Sequence, residues 1–218
     1  MAVINTVLLD FDGTVMDTNS VIIGSWQHTF RTIEGSERQV EEIVKTFGEP
    51  LDRTMAALFP DMDLDEAVSI YRSFHRDNFG EMIKLFPGVF ELLKSLKGQG
   101  YKVGLVTSRL KATTMEGLEK YGIKEFFDTV VTADDTSRHK PDPEPVNIAL
   151  NRLCSKPEES IMLGDTMHDV LCAKAAGVKS ALVSWSLAVS EEERAGEGAP
   201  DFIIDEAEEL MDILSRNS

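Results

Sequence analysis

Cysteine is scarce in this chain. Of 218 residues only two are cysteines, Cys154 and Cys172, and no CxxC or Cys/His spacing surrounds either. That pattern excludes a disulfide framework and a structural zinc site, and leaves both expected as buried small apolar side chains. Long apolar runs are missing too. The one near the N-terminus, residues 3–9, is too short to cross a bilayer or to form the apolar part of a secretion signal, and an acidic motif closes it. A cytoplasmic protein with no membrane partner is expected. Positive charge is also in deficit: 22 Lys plus Arg face 38 Asp plus Glu, a formal charge of −16. Such a field repels nucleic-acid backbones and anionic lipid, so nucleic acid is excluded as a partner. Any anionic ligand must be met by local cations or by a metal ion. Neither a repeat nor a low-complexity tract is present. The 42% hydrophobic and 28% charged composition is that of a globular protein.

Short, β-branched apolar segments at residues 3–9, 102–107, 129–132, 160–163, 180–183 and 202–204 read as buried parallel strands. Helical patterns alternate with them. Residues 89–96 precede Gly98 and Gly100, residues 113–121 stop at Gly122, residues 144–153 open after Pro143, and residues 169–176 stop at Gly177. This alternation predicts an α/β fold built on a doubly wound parallel sheet, with ligands at the carboxyl ends of its strands.

The first crossover is too long. Between Asp12 and Thr107 lie 94 residues, whereas a βαβ unit takes about 30. Residues 17–86 hold no convincing strand but show helical periodicity at 19–33, 37–47, 51–59 and 65–79, the last with Asp63 or Asp65 as N-cap. An all-helical domain inserted after the first strand is therefore expected, spanning 16–86, with the core formed by 1–15 and 87–218. Residues 186–200, rich in Glu, Gly and Ser, read as an exposed loop before a last strand and an acidic helix.

Several polar residues fall at predicted strand ends. Asp10 and Asp12 follow the first strand at a spacing that aims both side chains to one side of an extended backbone. Thr107 and Ser108 end the second, Lys140 lies in the loop after the third, and Gly164-Asp165 closes the fourth, with Asp169 one helical turn on. In a parallel sheet these gather at one edge. Carboxylates converging there raise one another's pKa, and a hard divalent cation relieves the conflict. Magnesium, which takes one or two carboxylates, waters and a phosphate oxygen, suits Asp10 and Asp165. Lys140 and the Thr107 hydroxyl would then meet the remaining phosphoryl oxygens.

In this order, Asp10-Phe11-Asp12-Gly13-Thr14, Thr107, Lys140 before Pro141-Asp142-Pro143, and Gly164-Asp165 with Asp169 resemble the four motifs of the haloacid dehalogenase-like hydrolases. The likeness covers essentially the whole chain. The helical insert resembles the C1-type cap of the phosphoglycolate phosphatase-like branch. Residues 22–30, 106–109, 122–135, 140–146 and 164–169 are most similar to pyrophosphatases within it. The resemblance implies a Rossmann-like core, Mg2+, and a small phosphorylated metabolite or pyrophosphate as substrate. It implies Asp10 as nucleophile and Asp12 as general acid and base. The metal would rest on Asp10, the Asp12 main-chain carbonyl and Asp165, with Asp169 ordering bound water. Thr107, Lys140, Ser108 and Gly13 would surround the phosphoryl group, and a monomer or weak dimer is expected.

Two competitors remain at this stage. β-Phosphoglucomutase relatives share the core but carry a cap-hinge histidine where this chain has Ile22, which favours hydrolysis. Phosphoaccepting receiver modules use similar residues, but in another order and without an insert. In the cap, Gly48-Glu49-Pro50 breaks two helices where such caps present a substrate loop, and Arg53 follows. Arg53 and Glu49 are candidate substrate contacts. A surface arginine paired with Asp52 or Glu49 explains the same residues equally well.

Overall fold

The structure, a computed structural model, describes residues 3–216; the expected core's residues 1, 2, 217 and 218 lie outside the described residues. Two compact units emerge. One comprises the chain through Met16 and from Leu85 onward, the other Asp17–Lys84.

The first unit is built on a six-stranded sheet. Its strands are β1 (Thr6–Leu9), β4 (Lys102–Val106), β5 (Thr129–Val131), β6 (Ser160–Gly164), β7 (Lys179–Val183) and β8 (Phe202–Ile204). They lie in the order β5-β4-β1-β6-β7-β8, and every pairing is parallel. Because both faces of a parallel sheet are covered by its crossovers, central strands must be apolar throughout, and β1 is buried at every position. Helices α5 (Val89–Gly98), α6 (Lys111–Lys120), α7 (Glu144–Leu153) and α8 (Met167–Ala175) follow the pattern expected of the crossovers. One part of the core joins Leu8, Val106, Val131 and Met162 of the sheet to Val146, Leu150 and Cys172 of the helices. Gly104 admits close packing here, since a β-carbon at that position would stand 2.7 Å from Leu8 Cδ2.

Chain order fixes where a ligand can enter. From β1 the chain moves outward through β4 and β5, then crosses to the other flank of β1 for β6, β7 and β8. The loops leaving β1 and β6 therefore diverge, and the crevice between them is the topological switch point of the sheet.

The second unit is helical: α1 (Asn19–Glu34), α2 (Val40–Val44), α3 (Leu51–Leu58) and α4 (Leu64–Met82). Trp26 and Phe30 of α1 meet Met55, Phe59, Val68 and Tyr71, with Trp26 edge-on to Tyr71 at 5.1 Å. Ile22 packs against this cluster. Asp63, rather than Asp65, caps α4, accepting a hydrogen bond from the Glu66 amide. The chain passes between the units along β2 (Met16–Asp17) and β3 (Lys84–Leu85), which pair as a two-stranded sheet.

Four sequence expectations need correction. Two-residue strands at Met16–Asp17 and Lys84–Leu85 replace the expected absence of strand over 17–86, since runs this short carry no periodicity. Strand β1 begins at Thr6, and Val3 is 54% exposed rather than buried in a strand. Cys172 is buried, but Cys154 is exposed. It ends α7 in the left-handed conformation, φ 49°, a position set by helix termination and not by side-chain polarity. Residues 186–200 include a short helix, α9 (Glu191–Ala195), started by a capping box between Ser190 and Glu193. A last helix, α10 (Glu209–Arg216), closes the described chain. Among the described residues, no helix is long and apolar enough to cross a membrane.

Candidate active site

The loop leaving β1 carries Asp10, Asp12 and Gly13. Asp10 is buried at the mouth of the switch-point crevice, and its amide still pairs with the Leu163 carbonyl of β6. Gly13 turns the chain at φ 72°, and a β-carbon there would overlap the Asp165 carboxylate. The two acidic loops can approach only because that position has no side chain.

Asp165 follows β6, and Asp169 lies in the first turn of α8. Together with Asp10 they form a buried triad whose ligand-capable atoms all lie within 4.8 Å of one another. Gly164 serves the same closeness, as a β-carbon there would meet Asp169. One oxygen of Asp169 closes the N-terminus of α8, accepting from the Thr166 amide at 3.0 Å and the Thr166 hydroxyl at 2.7 Å. Its other oxygen accepts from Lys140 Nζ at 2.5 Å.

Lys140 is buried, with its ammonium also 2.8 Å from Asp10 Oδ1 and 3.3 Å from the Val106 carbonyl. The loop bearing it is held from below by Cys172, whose thiol donates to the Asp142 carbonyl at 3.0 Å. Burial pushes that thiol up to about 12, so it stays protonated.

The charges do not balance. Burial lifts Asp10 to about 7 in spite of the opposing attraction of Lys140, and the neighbouring Asp169 and Asp12 add to the rise. Burial first, then Asp169 and Asp10, likewise hold Asp165 well above the ordinary carboxylate range. Lys140 is the reverse: burial disfavours its charge, but Asp10 and Asp169 overcome this and raise its pKa. Lys140 Nζ stands 2.8 Å from Asp10 Oδ1 and is shared with Asp169, so a single ammonium serves both. Three buried carboxylates against one ammonium, all with oxygen donors, fit a hard divalent cation.

Thr107 extends β4, its amide pairing with the Val131 carbonyl, and is buried next to β1. Ser108 is half-buried in the following bend. Ser108 does not cap the helix that follows, since α6 is preceded by Leu110 and takes no side-chain cap. Asp12 lies on the wetter side of the cluster, its side chain 28% exposed, and forms an ion pair with Arg109 Nη1 at 2.9 Å. The Arg109 amide donates to Thr107 Oγ1, and its guanidinium lies over the Phe11 ring. Arg109 received no role from sequence alone; its signal was its place two residues beyond Thr107, at a strand's carboxyl end. Trp185 and Ser186 were missed as well. The Trp185 indole donates to the Gly13 carbonyl at 3.0 Å and Ser186 Oγ donates to the Asp165 carbonyl at 2.5 Å, so one loop after β7 fastens both acidic loops.

Glu49 and Arg53 belong to the helical unit. They pair with each other at 3.6 Å, and the Arg53 side chain is 80% exposed. Asp52 pairs instead with Arg72 at 3.7 Å.

A buried acidic cluster with a lysine, set at the switch point of a doubly wound sheet, has the make-up and the place of an enzyme site. Comparison with known proteins agrees on the lineage. Residues 7–183 match the family model of the haloacid dehalogenase-like hydrolases. The pyrophosphatase PpaX of Bacillus pumilus is 39% identical over 211 residues, 97% of this chain and 96% of that one. PpaX of Bacillus cereus is 40% identical over 212 residues, 97% of each chain. Among solved structures, a haloacid dehalogenase-like family hydrolase from Streptococcus pneumoniae superposes with a TM-score of 0.84 at 26% identity, covering 96% of this chain and 98% of its own. A haloacid dehalogenase-superfamily hydrolase from Geobacter sulfurreducens gives 0.73 at 25% identity, over 97% and 96%. The chain belongs to the haloacid dehalogenase-like hydrolase family.

Proposed function

We propose that this hydrolase is a magnesium-dependent phosphatase of small phosphorylated metabolites or pyrophosphate, working through an aspartyl-phosphate. The observation that carries the reading is the buried contact of Asp10 with Lys140, beside Asp165 and Asp169. A carboxylate so placed is held at the crevice by the cation that also meets the incoming phosphoryl oxygens.

Asp10 attacks phosphorus and the bridging bond to the leaving oxygen breaks, that oxygen taking a proton from Asp12. Water then attacks the same phosphorus, giving its proton to Asp12, and the Asp10–phosphorus bond opens to release phosphate. Lys140 and the Thr107 hydroxyl hold the transferring group, with Ser108 and Gly13 lining the bend and turn around it. Asp10, the Asp12 main-chain carbonyl and Asp165 would hold Mg2+. Asp169, whose own oxygens accept from Lys140 and Thr166, would order water bound to the ion. Bound there, magnesium supplies charge neutralisation for the phosphoryl oxygens.

The inserted unit, 16–86, is read as the cap that chooses the leaving group, with Glu49 and Arg53 as its candidate contacts. The setting proposed is cytoplasmic, as a monomer or weak dimer. PpaX relatives point to pyrophosphate as the first substrate to try. The test is phosphate release by the purified protein from pyrophosphate, phosphoglycolate and sugar phosphates, with kcat/KM compared. Expected is turnover that chelation stops and magnesium restores. Failure to release phosphate from any of them, or indifference to chelation, overturns the reading.

A further inference from the structure

The site holds a second cation for which the chemistry above has no use. Arg109 is almost as enclosed as Lys140, its side chain 9% exposed, in a protein whose formal charge is −16. Its guanidinium faces Asp12, with Nη1 2.9 Å from Oδ1. We infer that Arg109 binds the leaving group and selects substrates whose leaving group is itself an anion, inorganic phosphate above all. The inference rests on the reading of Asp12 as the proton donor to the leaving oxygen.

Any oxygen that Asp12 protonates must come within about 2.6–3.2 Å of its carboxylate. Arg109 is one hydrogen bond from that carboxylate, so the leaving oxygen sits within about two hydrogen-bond lengths of the guanidinium. An alcohol leaving group offers nothing further there for a cation. A phosphate leaving group carries charged oxygens on the very atom bonded to the leaving oxygen, and the planar fork of an arginine can bridge such an oxygen and a carboxylate at once. Charge-assisted hydrogen bonds of this kind favour an anionic over a neutral leaving group by roughly ten- to hundredfold.

The side chain is also positioned in advance. The Arg109 amide is fixed on Thr107 Oγ1 at 3.1 Å, its carbonyl accepts from the Ala133 amide at 3.0 Å, and its guanidinium rests over Phe11. The strand end that presents Thr107 to the transferring phosphoryl group thus presents Arg109 to what departs. Little ordering remains to be done when substrate arrives.

The experiment compares Arg109→Ala and Arg109→Lys with the unaltered protein on two substrates with anionic leaving groups, pyrophosphate and phosphoglycolate, and on glycerol 2-phosphate, whose leaving alcohol is uncharged and needs the Asp12 proton as phosphoglycolate does. All rates are expected to fall in Arg109→Ala, because Asp12 loses its partner. The ratio of kcat/KM for pyrophosphate to that for glycerol 2-phosphate should fall a further ~10-fold or more. Arg109→Lys should recover part of the ratio, and its circular dichroism should match that of the unaltered protein. The affinity of the Asp10→Asn protein for pyrophosphate, read by calorimetry, should drop when Arg109→Ala is added. Equal losses on all three substrates would reduce Arg109 to a support for Asp12 and overturn the inference alone. Hydrolysis of none of them by the unaltered protein would remove the phosphatase reading and this inference with it.

Discussion

Asp10 and Asp12 are separated by one residue and live in different surroundings. Asp10 is enclosed with Lys140 and two further acids, whereas Asp12 is partly wet and faces an arginine. Their substitutions should therefore differ in kind. Asp10→Asn is expected to end turnover, since an amide is a poor nucleophile, while substrate still binds. Asp12→Ala should slow turnover by about 10²- to 10⁴-fold. Single-turnover phosphate release distinguishes the two. Lys140→Met strands Asp10 and Asp169 without their cation and should cost about 3–5 kcal/mol of stability in chelator, with magnesium restoring part of it. Urea unfolding with and without the ion measures this. Most of these residues were legible in the sequence because strand ends of a parallel sheet share one edge. Arg109, Trp185 and Ser186 were not: each acts on a loop from another strand, and that adjacency exists only once strand order is known.

At the level of elements, apolar strands buried on both faces declared themselves, and Glu144–Leu153 and Phe202–Ile204 fell where the pattern put them. Boundaries set by capping were harder to see. Residues 37–47 are periodic enough for a long helix, but only Val40–Val44 forms one before the chain turns. Asp63 and Asp65 look alike as starts of α4, and only the hydrogen bond to Glu66 decides between them. Asp63→Ala should cost about 1 kcal/mol in the helical unit and Asp65→Ala less, a difference that thermal unfolding can register. Phosphate chemistry should be unaffected at the level of Asp10 and Lys140, which lie in the other unit.

For the molecule as a whole, an excess of acid brings a pH dependence. Asp135 is an example outside the site. Burial opposes its charge, but hydrogen bonds from Arg152 at 2.6 Å and from the Thr132 amide and hydroxyl outweigh this and lower its pKa. A carboxylate depressed in the folded state stabilises it above the unfolded pKa, about 3.9, and that contribution is lost as pH falls through the folded value. Asp135→Asn should therefore unfold more easily at pH 7, by about 1–2 kcal/mol. Relative to the unaltered protein, this deficit should shrink as the solution is acidified below about pH 4. Urea midpoints along a pH series test the sign, and a deficit that grows in acid would contradict it.

The paired strands Met16–Asp17 and Lys84–Leu85 make the helical insert a plug-in part. Neighbouring strands run about 4.8 Å apart, so its two ends leave and rejoin the sheet-bearing body at adjacent points. Excision needs only a tight turn to bridge the gap, and a foreign segment of different length can be grafted at the same seam without changing the order of the six parallel strands.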